Sequence, residues 1–281
     1  MTVLVTGATG TVGRHLVRLL DGPVRAVSRD PHADLGPHDA EHRVSVVDND
    51  PMHLVGVTAL FVHPRAVADP ATLVARARAA GVGKVVALSA SNVDDDPADQ
   101  PSRHRGDRNK EAEDAVAGSG LPWVSVRAGS FAGNTATAWA HQIRAGDVVH
   151  GPYADFSEAP LHERDLAEVI AHALTTDTLD GRRVEVTGPR SHTHDELVAI
   201  IGGALGRPLR YQEIPPEQAI ANFVRAGLPE PFAHALMARY ARGAGLPATV
   251  TGEVDKILRR PARTYPDWVA DHLDMFTGDH S

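Results

Sequence analysis

Short runs of apolar residues recur along the first half of the chain, and stretches with helical spacing separate most of them. The runs are rich in valine, which favours buried β-strands. They lie at Val3–Thr6, Val24–Val27, Val44–Val47, Ala59–Val62, Val85–Leu88 and Trp123–Val126. Between them, Ala71–Ala80 is a clear helical stretch that stops at Gly81. Strands that alternate with helices predict a doubly wound parallel sheet, which binds its ligands at the carboxyl ends of the strands.

A glycine-rich turn joins the first apolar run to a helical stretch whose apolar positions 12, 16, 19 and 20 share one face. Strand, glycine turn and helix are the context of a dinucleotide-binding fingerprint, because glycines allow a tight turn and a close approach to a pyrophosphate. The helix start adds free N–H groups and a positive dipole end. We expect the phosphates to contact Gly7, Thr9, Gly10, Thr11, Val12 and Gly13.

The second predicted strand ends in Ser28, and Arg29 follows it. In dinucleotide-binding folds an acidic residue here holds the free ribose hydroxyl, whereas an arginine accommodates a 2′-phosphate. Ser28 and Arg29 therefore predict NADP(H), since a guanidinium can bind a phosphate with two hydrogen bonds. Asp30 is best explained as a helix cap before Pro31. It could instead bind the ribose hydroxyl, which keeps NAD(H) as the alternative cofactor.

Two further strand ends are expected to line the cofactor. Asp48 follows the third strand and is placed to meet the adenine. His63 and Pro64 follow the fourth strand and are expected near the pyrophosphate and the nicotinamide ribose. For His63, a loop position without a role in binding is the alternative.

The pattern changes in the second half of the chain, where helical stretches dominate. Asp165 is predicted to cap a helix, and Thr193 with Glu196 forms the T-x-x-E capping box of another. Arg183–Thr187 alternates like a strand. We therefore predict a Rossmann domain over residues 1–150, and a smaller, mostly helical substrate portion over 151–281 that interleaves with the end of the sheet.

Composition excludes several classes. The net charge of −8 and the absence of a basic run disfavour nucleic-acid binding. No apolar stretch approaches the roughly 20 residues that span a bilayer, and the chain begins with the first strand, so neither a membrane anchor nor a signal peptide is expected. The chain has no cysteine, so it has no disulfide and no thiolate nucleophile. These features fit the cytoplasm.

Sixteen histidines raise the question of a metal site. His192 and His194 are the tightest pair, at the predicted start of a helix. No third ligand has suitable spacing, and no H-E-x-x-H sequence occurs. We expect no metal.

The spacing T-G-A-T-G-x-V-G over residues 6–13 resembles the extended and atypical short-chain dehydrogenases/reductases, and their NmrA-like branch in particular. Further segments are similar to that branch: Ser119–Arg127 followed by Phe131 and Asn134, Pro160–Ala167, Thr187–Pro189 and Leu205–Arg207. The resemblance covers nearly the whole chain. It implies a Rossmann fold and a nicotinamide cofactor, and it says little about the substrate.

That superfamily usually carries Tyr-x-x-x-Lys on the helix after the fifth strand, with a glutamate four residues beyond the lysine. Alignment on Glu113 puts Asn109 in the lysine position and Arg105 in the tyrosine position. Alignment on Lys110 puts Gly106 in the tyrosine position. Neither alignment supplies a tyrosine, and the NmrA-like branch is similar in commonly lacking this pair.

Four other residues are candidates for the chemistry. Ser89 and Ser91 end the fifth strand, where either hydroxyl could donate to a developing oxyanion; simple capping of the strand end is the alternative. Lys110 could bind the ribose or a substrate oxyanion, or could be a solvated helix lysine. His162 could donate a proton near neutral pH, or could be structural.

Three functions follow from these residues. The favoured one is an NADPH-dependent reductase of a small carbonyl, quinone, imine or activated alkene, in which Ser89, Ser91 or a water completes protonation. The second is a non-catalytic dinucleotide sensor of the NmrA type that binds a protein partner. The third is an atypical isomerase, dehydratase or cyclase of secondary metabolism. A homodimer is a further expectation. Fold alone does not separate these functions.

Overall fold

The structure is a computed structural model that describes residues 1–28, 35, 43–45 and 51–278. In chain order its strands are β1 (Val3–Val5), β2 (Val24–Ser28), β3 (Arg43–Ser45), β4 (Ala59–Val62), β5 (Lys84–Ala90), β6 (Trp123–Ala128), β7 (Val148–Gly151), β8 (Ser157–Glu158), β9 (Arg182–Val186), β10 (His192–Thr193) and β11 (Arg210–Glu213).

Helices separate the strands and fill the C-terminal part. They are α1 (Thr11–Leu19), α2 (Pro70–Ala79), α3 (Pro101–His104), α4 (Asn109–Ala117), α5 (Gly133–Ala145), α6 (Glu163–Thr175), α7 (His194–Leu205), α8 (Pro216–Arg225), α9 (Glu230–Gly243), α10 (Glu253–Leu258), α11 (Tyr265–Asp271) and α12 (Asp274–Thr277). In the part of the chain that is described, no helix is long and apolar enough to cross a bilayer.

Seven of the described strands form one sheet in the order β3-β2-β1-β4-β5-β6-β9. All neighbouring pairs are parallel, with Val3 of β1 between Val24 of β2 and Ala59 of β4. From β1 the chain adds β2 and β3 on one side of the sheet, and it then crosses over to add β4 on the other side of β1. The carboxyl ends of β1 and β4 therefore flank the switch point at which such sheets bind ligands. The predicted doubly wound fold is confirmed.

Helices cover both faces of the sheet. Val86 and Leu88 of β5 belong to the core shared with α1 and α6, whereas Val85 and Ala87 belong to the core shared with α2 and α4. A strand that is buried on both faces must be apolar at consecutive positions. This requirement explains why the strands appear in the sequence as uninterrupted valine-rich runs.

The C-terminal part completes the main sheet and adds a third core. β9 pairs with β6, and α6 packs on α1. β7 pairs with β11, β8 pairs with β10, and the third core contains Trp139, Leu197 and Trp268. α8 has Ala219 as its buried residue, and it packs on α9, which in turn packs on α3. We propose that the boundary near residue 150 separates the Rossmann domain from the substrate portion.

One predicted helix cap is present and another is wrong. Thr193 and Glu196 form the predicted capping box of α7. The predicted cap of α6 was Asp165, but the helix begins earlier, with the His162 side chain accepting from the Arg164 N–H group. Asp165 is instead a fully buried carboxylate in the first turn. It accepts hydrogen bonds from the guanidinium of Arg260 at 2.7 Å and from the backbone N–H of Arg263 at 2.7 Å.

Buried Glu163 joins the start of α6 to the last helices. Its carboxylate accepts from the Trp268 indole at 2.9 Å and pairs with His272 Nε2 at 3.0 Å. Burial alone would raise the pKa of Glu163, but the hydrogen bond from His272 and a backbone hydrogen bond lower it to about 2. The same hydrogen bond raises the pKa of His272. The docked C-terminal helices therefore favour a protonated histidine.

This pair predicts that stability falls at alkaline pH. The contribution of His272 is complete below its unfolded pKa of about 6.5, and it is lost as the pH rises through the raised folded value. Glu163 and Asp271 face the ring with negative charge, and His162 lies 6.0 Å away between ring centroids. We expect the free energy of unfolding in urea to fall more between about pH 6 and about pH 9 in the wild type than in His272→Gln. Equal falls would contradict the assignment.

Candidate active site

The glycine turn after β1 has a shape that larger residues would disrupt. Gly7 has a φ of +67° and accepts from the Gly10 N–H at 3.0 Å. A Cβ on Gly13 would lie 2.1 Å from the Gly7 oxygen and 2.8 Å from the Ala8 Cα. Gly7 therefore supplies a left-handed conformation, and Gly13 allows helix and turn to meet backbone to backbone. At Gly10 a Cβ would lie 3.3 Å from the same oxygen, so this position is less demanding.

The start of α1 is left open for an anion. Its N-cap is Gly10, which has no side chain to cap it, and the first turn contains no acidic residue. Thr11 is exposed and Thr9 half-buried, while Val12 and Gly13 are buried. The N–H groups of a first helical turn have no partners within the helix and lie at the positive end of its dipole. The turn therefore fits the pyrophosphate of a dinucleotide.

The second and third strand ends are described only in part. Ser28 is the last residue of β2 and is buried. Beside it, the Ala8 N–H donates to the Val27 carbonyl at 3.2 Å, which ties the glycine turn to β2. Arg29 and Asp48 lie outside the described residues, so their roles toward the 2′-phosphate and the adenine stay predictions.

His63 forms a wall of the glycine turn. The Thr6 hydroxyl donates to the Phe61 carbonyl at 2.9 Å and accepts from the His63 N–H at 2.7 Å, which joins the ends of β1 and β4. A Cβ on Gly7 would lie 3.0 Å from the His63 ring. Burial lowers the pKa of His63 to about 4, so the ring is neutral at physiological pH. Pro64 is buried next to it.

Ser89 has a buried hydroxyl with an unused hydrogen-bonding capacity. The residue is 3% exposed, and its Oγ has no partner among the described residues. It stands near the end of β5, in register with Arg127 of β6. Buried hydroxyls nearly always have a partner, so a free one at a ligand-binding edge is consistent with a bound group. Ser91 differs, because it is exposed and lies after the strand end.

Glu113 is a buried site residue whose role the sequence did not reveal. It accepts from Ser125 Oγ at 2.6 Å, from Arg127 Nη2 at 2.6 Å and from Arg183 Nε at 2.7 Å. Burial alone would raise the pKa of Glu113, but these hydrogen bonds lower it to about 2. The signal was available: Asn109 and Glu113 interrupt the apolar stripe of α4. Glu113 holds Arg127 beside Ser89.

The segment predicted to match the catalytic helix of the superfamily is α4 with the turn before it. Asn109 is buried at its first position and donates to the Ser102 hydroxyl at 3.1 Å. Arg105 lies over the Phe232 ring at 5.5 Å, and Gly106 has a φ of +95°. Arg105 and Gly106, which occupy the tyrosine position in the two alignments, therefore have structural roles. The alignment itself stays a prediction.

The contacts of Lys110 and His162 favour the structural alternatives. Lys110 is exposed and pairs with Asp114 one helical turn away, at 2.5 Å. His162 is 1% exposed and caps α6 through Nδ1, while its Nε2 lies 3.5 Å from the Asp271 carboxylate. Burial lowers the pKa of His162, which makes it a neutral cap. Roles for Lys110 and His162 in catalysis stay predictions. Among the described residues, no acidic or histidine cluster is arranged to hold a metal ion.

The sequence matches the model of the NmrA-like family over residues 1–243. The chain belongs to the NmrA-like family. Two curated relatives match along almost the whole length. A (4-alkanoyl-5-oxo-2,5-dihydrofuran-3-yl)methyl phosphate reductase of Streptomyces griseus is 36% identical, with 98% of this chain and 99% of the relative covered. An NAD(P)H azoreductase of Xenophilus azovorans is 31% identical over the same shares.

Two solved structures share the fold. QOR2, an NADPH-dependent quinone oxidoreductase of Escherichia coli solved with NADPH, has a TM-score of 0.77 at 21% identity, covering 97% of this chain and 99% of its own. NmrA, a negative transcriptional regulator solved with NAD, has a TM-score of 0.73 at 16% identity, covering 99% and 96%. The predicted family is thus confirmed by the family match, and the fold is shared with both a reductase and a regulator.

Proposed function

We propose that this NmrA-like protein is an NADPH-dependent reductase of a small carbonyl, quinone, imine or activated alkene. The predicted class, an NAD(P)-dependent oxidoreductase, is confirmed by reductases that are 36% and 31% identical over 98% of the chain. The acceptor, the preference for NADPH through Arg29, and a cytoplasmic location belong to the proposal. A homodimer stays a prediction.

The residues of the glycine turn fit a dinucleotide. The close approach at Gly13 and the uncapped start of α1 leave room and N–H groups for the pyrophosphate. His63 is neutral and closes the turn from the β4 side, so the helix N–H groups supply the attraction for the phosphates there. When bound, the nicotinamide supplies the hydride, and the protein supplies binding, orientation and electrostatics.

The unpartnered hydroxyl of Ser89 is the observation that carries the proposal. It lies near the carboxyl end of β5, on the side of the sheet that binds the nicotinamide in this fold. As a donor, Ser89 can stabilise an acceptor oxygen on which negative charge develops during reduction. Arg127, fixed by Glu113, keeps positive charge next to it. No tyrosine is needed for this stabilisation, although the proton itself must then come from water.

The experiment compares Ser89→Ala with the wild type. We expect turnover of NADPH with a quinone or azo acceptor to fall on the order of a hundredfold, because one hydrogen-bond donor to the developing charge is lost. NADPH affinity, measured by fluorescence titration beside NADH, should stay unchanged, with NADPH preferred in both proteins. Ser91→Ala is the matched control and should turn over normally. Undiminished turnover in Ser89→Ala would overturn the role of this hydroxyl.

A dinucleotide sensor is the second candidate, favoured by the lack of a tyrosine anywhere from Arg105 to Glu113. A sensor would bind the oxidised and reduced cofactors with different affinity, and it would not consume NADPH with any acceptor. An isomerase, dehydratase or cyclase would convert its substrate without net consumption of cofactor. Titration with NADP⁺ beside NADPH, together with the turnover assay and product analysis, therefore separates all three functions.

A further inference from the structure

Glu158, the last residue of β8, has a buried carboxylate. Among the described residues, none donates a hydrogen bond to it. Its side chain is 8% exposed, and Arg239 Nη2 lies 3.6 Å from Oε1, too far for a hydrogen bond. Arg239 also has no hydrogen-bond partner among the described residues; its guanidinium lies 5.7 Å from the centre of the Phe156 ring. Buried charges are normally paired and hydrogen-bonded, because their desolvation is costly. This pair thus has unused donors and acceptors.

Aromatic rings form a wall around the pair. The Tyr240 ring lies 4.4 Å from the Phe156 ring and 6.3 Å from the Tyr153 ring, between centroids. Tyr153 has a φ of 49°, a strained conformation for a bulky residue and one that is enriched at functional sites. Burial raises the pKa of Tyr240, and the Glu158 charge raises it further, so the phenol stays protonated.

The topology places this pair above the ends of β5 and β6. The Leu161 N–H donates to the Ser130 carbonyl, just after β6, at 2.8 Å. Glu158 is three residues earlier, which is at most roughly 10 Å of extended chain. On the other side, Arg242 of α9 pairs at 3.3 Å with Asp99, in the segment that follows β5. Arg239 is carried by the same helix. The pair therefore lies near the edge of the sheet at which Ser89 stands.

We propose that Glu158 and Arg239 are specificity-determining residues that bind a hydroxyl group of the substrate, while Phe156, Tyr153 and Tyr240 hold its flat, unsaturated body. The hydroxyl donates to Glu158 and accepts from Arg239. A cationic group would be repelled by Arg239 and an anionic group by Glu158, so the pair selects an uncharged group that both donates and accepts. The Arg239 side chain is 35% exposed, so an entering ligand can reach it from the solvent. This inference rests on the proposed reductase function.

The test measures binding of a matched pair of probes, 2-naphthalenemethanol and 2-ethylnaphthalene, to the complex with NADPH by calorimetry, because neither probe carries a group that NADPH can reduce. We expect the wild type to bind the alcohol about tenfold more tightly than the hydrocarbon, because its hydroxyl fills a charge-assisted site. Glu158→Met keeps the side-chain length and removes the acceptor, so this preference should vanish while hydrocarbon affinity stays the same. Arg239→Met, on a partly exposed position, should reduce the preference without a folding defect.

Glu217→Met, on the exposed side of α8, is the matched control and should keep the preference. Equal affinities for the two probes in the wild type, or an unchanged preference in Glu158→Met, would overturn the inference. The KM for 4-(hydroxymethyl)benzaldehyde against 4-ethylbenzaldehyde should follow the same order, with kcat little affected. If the alcohol preference is present but no acceptor oxidises NADPH, the reductase proposal fails and the hydroxyl site stands.

Discussion

Gly13→Ala is expected to abolish tight NADPH binding and to destabilise the protein by about 3 kcal/mol. The added Cβ would lie 2.1 Å from the Gly7 oxygen and 2.9 Å from the Ala8 carbonyl carbon. Both are backbone atoms, so no side-chain rotation relieves the overlap. α1 must move away from the turn, and its first N–H groups then no longer point at the pyrophosphate.

Two measurements check this expectation: a fluorescence titration with NADPH and a urea unfolding curve. Gly203→Ala is the matched control, since Gly203 is also helical but its Cβ would meet nothing within 4 Å. That substitution should stabilise α7 by about 0.5–1 kcal/mol and leave NADPH affinity unchanged. If Gly13→Ala binds NADPH like the wild type, the close contact between helix and turn does not shape the phosphate site.

Glu113→Ala is expected to cost about 3 kcal/mol of stability, because half-buried Arg127 loses its buried partner and keeps only the largely exposed Asp94. Ser125 would lose its hydrogen-bond acceptor as well. The depressed pKa of Glu113, about 2, has its own consequence. Its stabilisation is present above the unfolded value of about 4.3 and is lost as the pH falls toward 2. The wild type should therefore lose more stability on acidification than the variant.

Glu111→Ala supplies a control two residues away on the same helix. Glu111 also accepts two hydrogen bonds from an arginine, Arg103, but both side chains are about one-third exposed. Exposed pairs contribute at most about 1 kcal/mol. The loss in the free energy of unfolding, measured in urea, should thus be several-fold larger for Glu113→Ala than for Glu111→Ala. Similar losses for Glu111→Ala and Glu113→Ala would show that burial is not what makes the second pair important.

The parts of the fold with a local signal could be predicted from the sequence. Valine runs that are buried on both faces predicted the strands, and the spacing of Gly7, Gly10 and Gly13 predicted the turn, because backbone geometry there allows few other residues. The capping box of Thr193 and Glu196 is equally local, since both partners lie within one helical turn. Each of these features depends on residues that are neighbours in the chain.

Features that depend on distant partners were missed or assigned incorrectly. Asp165 was predicted to be a helix cap because a helical stretch follows it in the sequence. It instead binds Arg260 and Arg263, which are more than 90 residues away. Glu158 shows no pattern in the sequence, because its burial comes from strand pairing and from α9. Charged residues on apolar helix faces, such as Glu113, are the one signal that could have indicated such long-range pairs.

The uneven burial of the C-terminal part suggests which segment can be exchanged between relatives. β9 and α6 belong to the main sheet and its core, so a chimera joined near residue 150 would separate a strand and a helix from the surfaces they cover. α8 and α9 contribute Ala219, Ala233, Ala235 and Met237 as their buried residues. Because α9 carries Arg239, grafting α8 and α9 alone should transfer a relative's substrate preference at a small cost in stability. Grafting the whole C-terminal half should cost much more stability, because it replaces β9 and α6 in the main core.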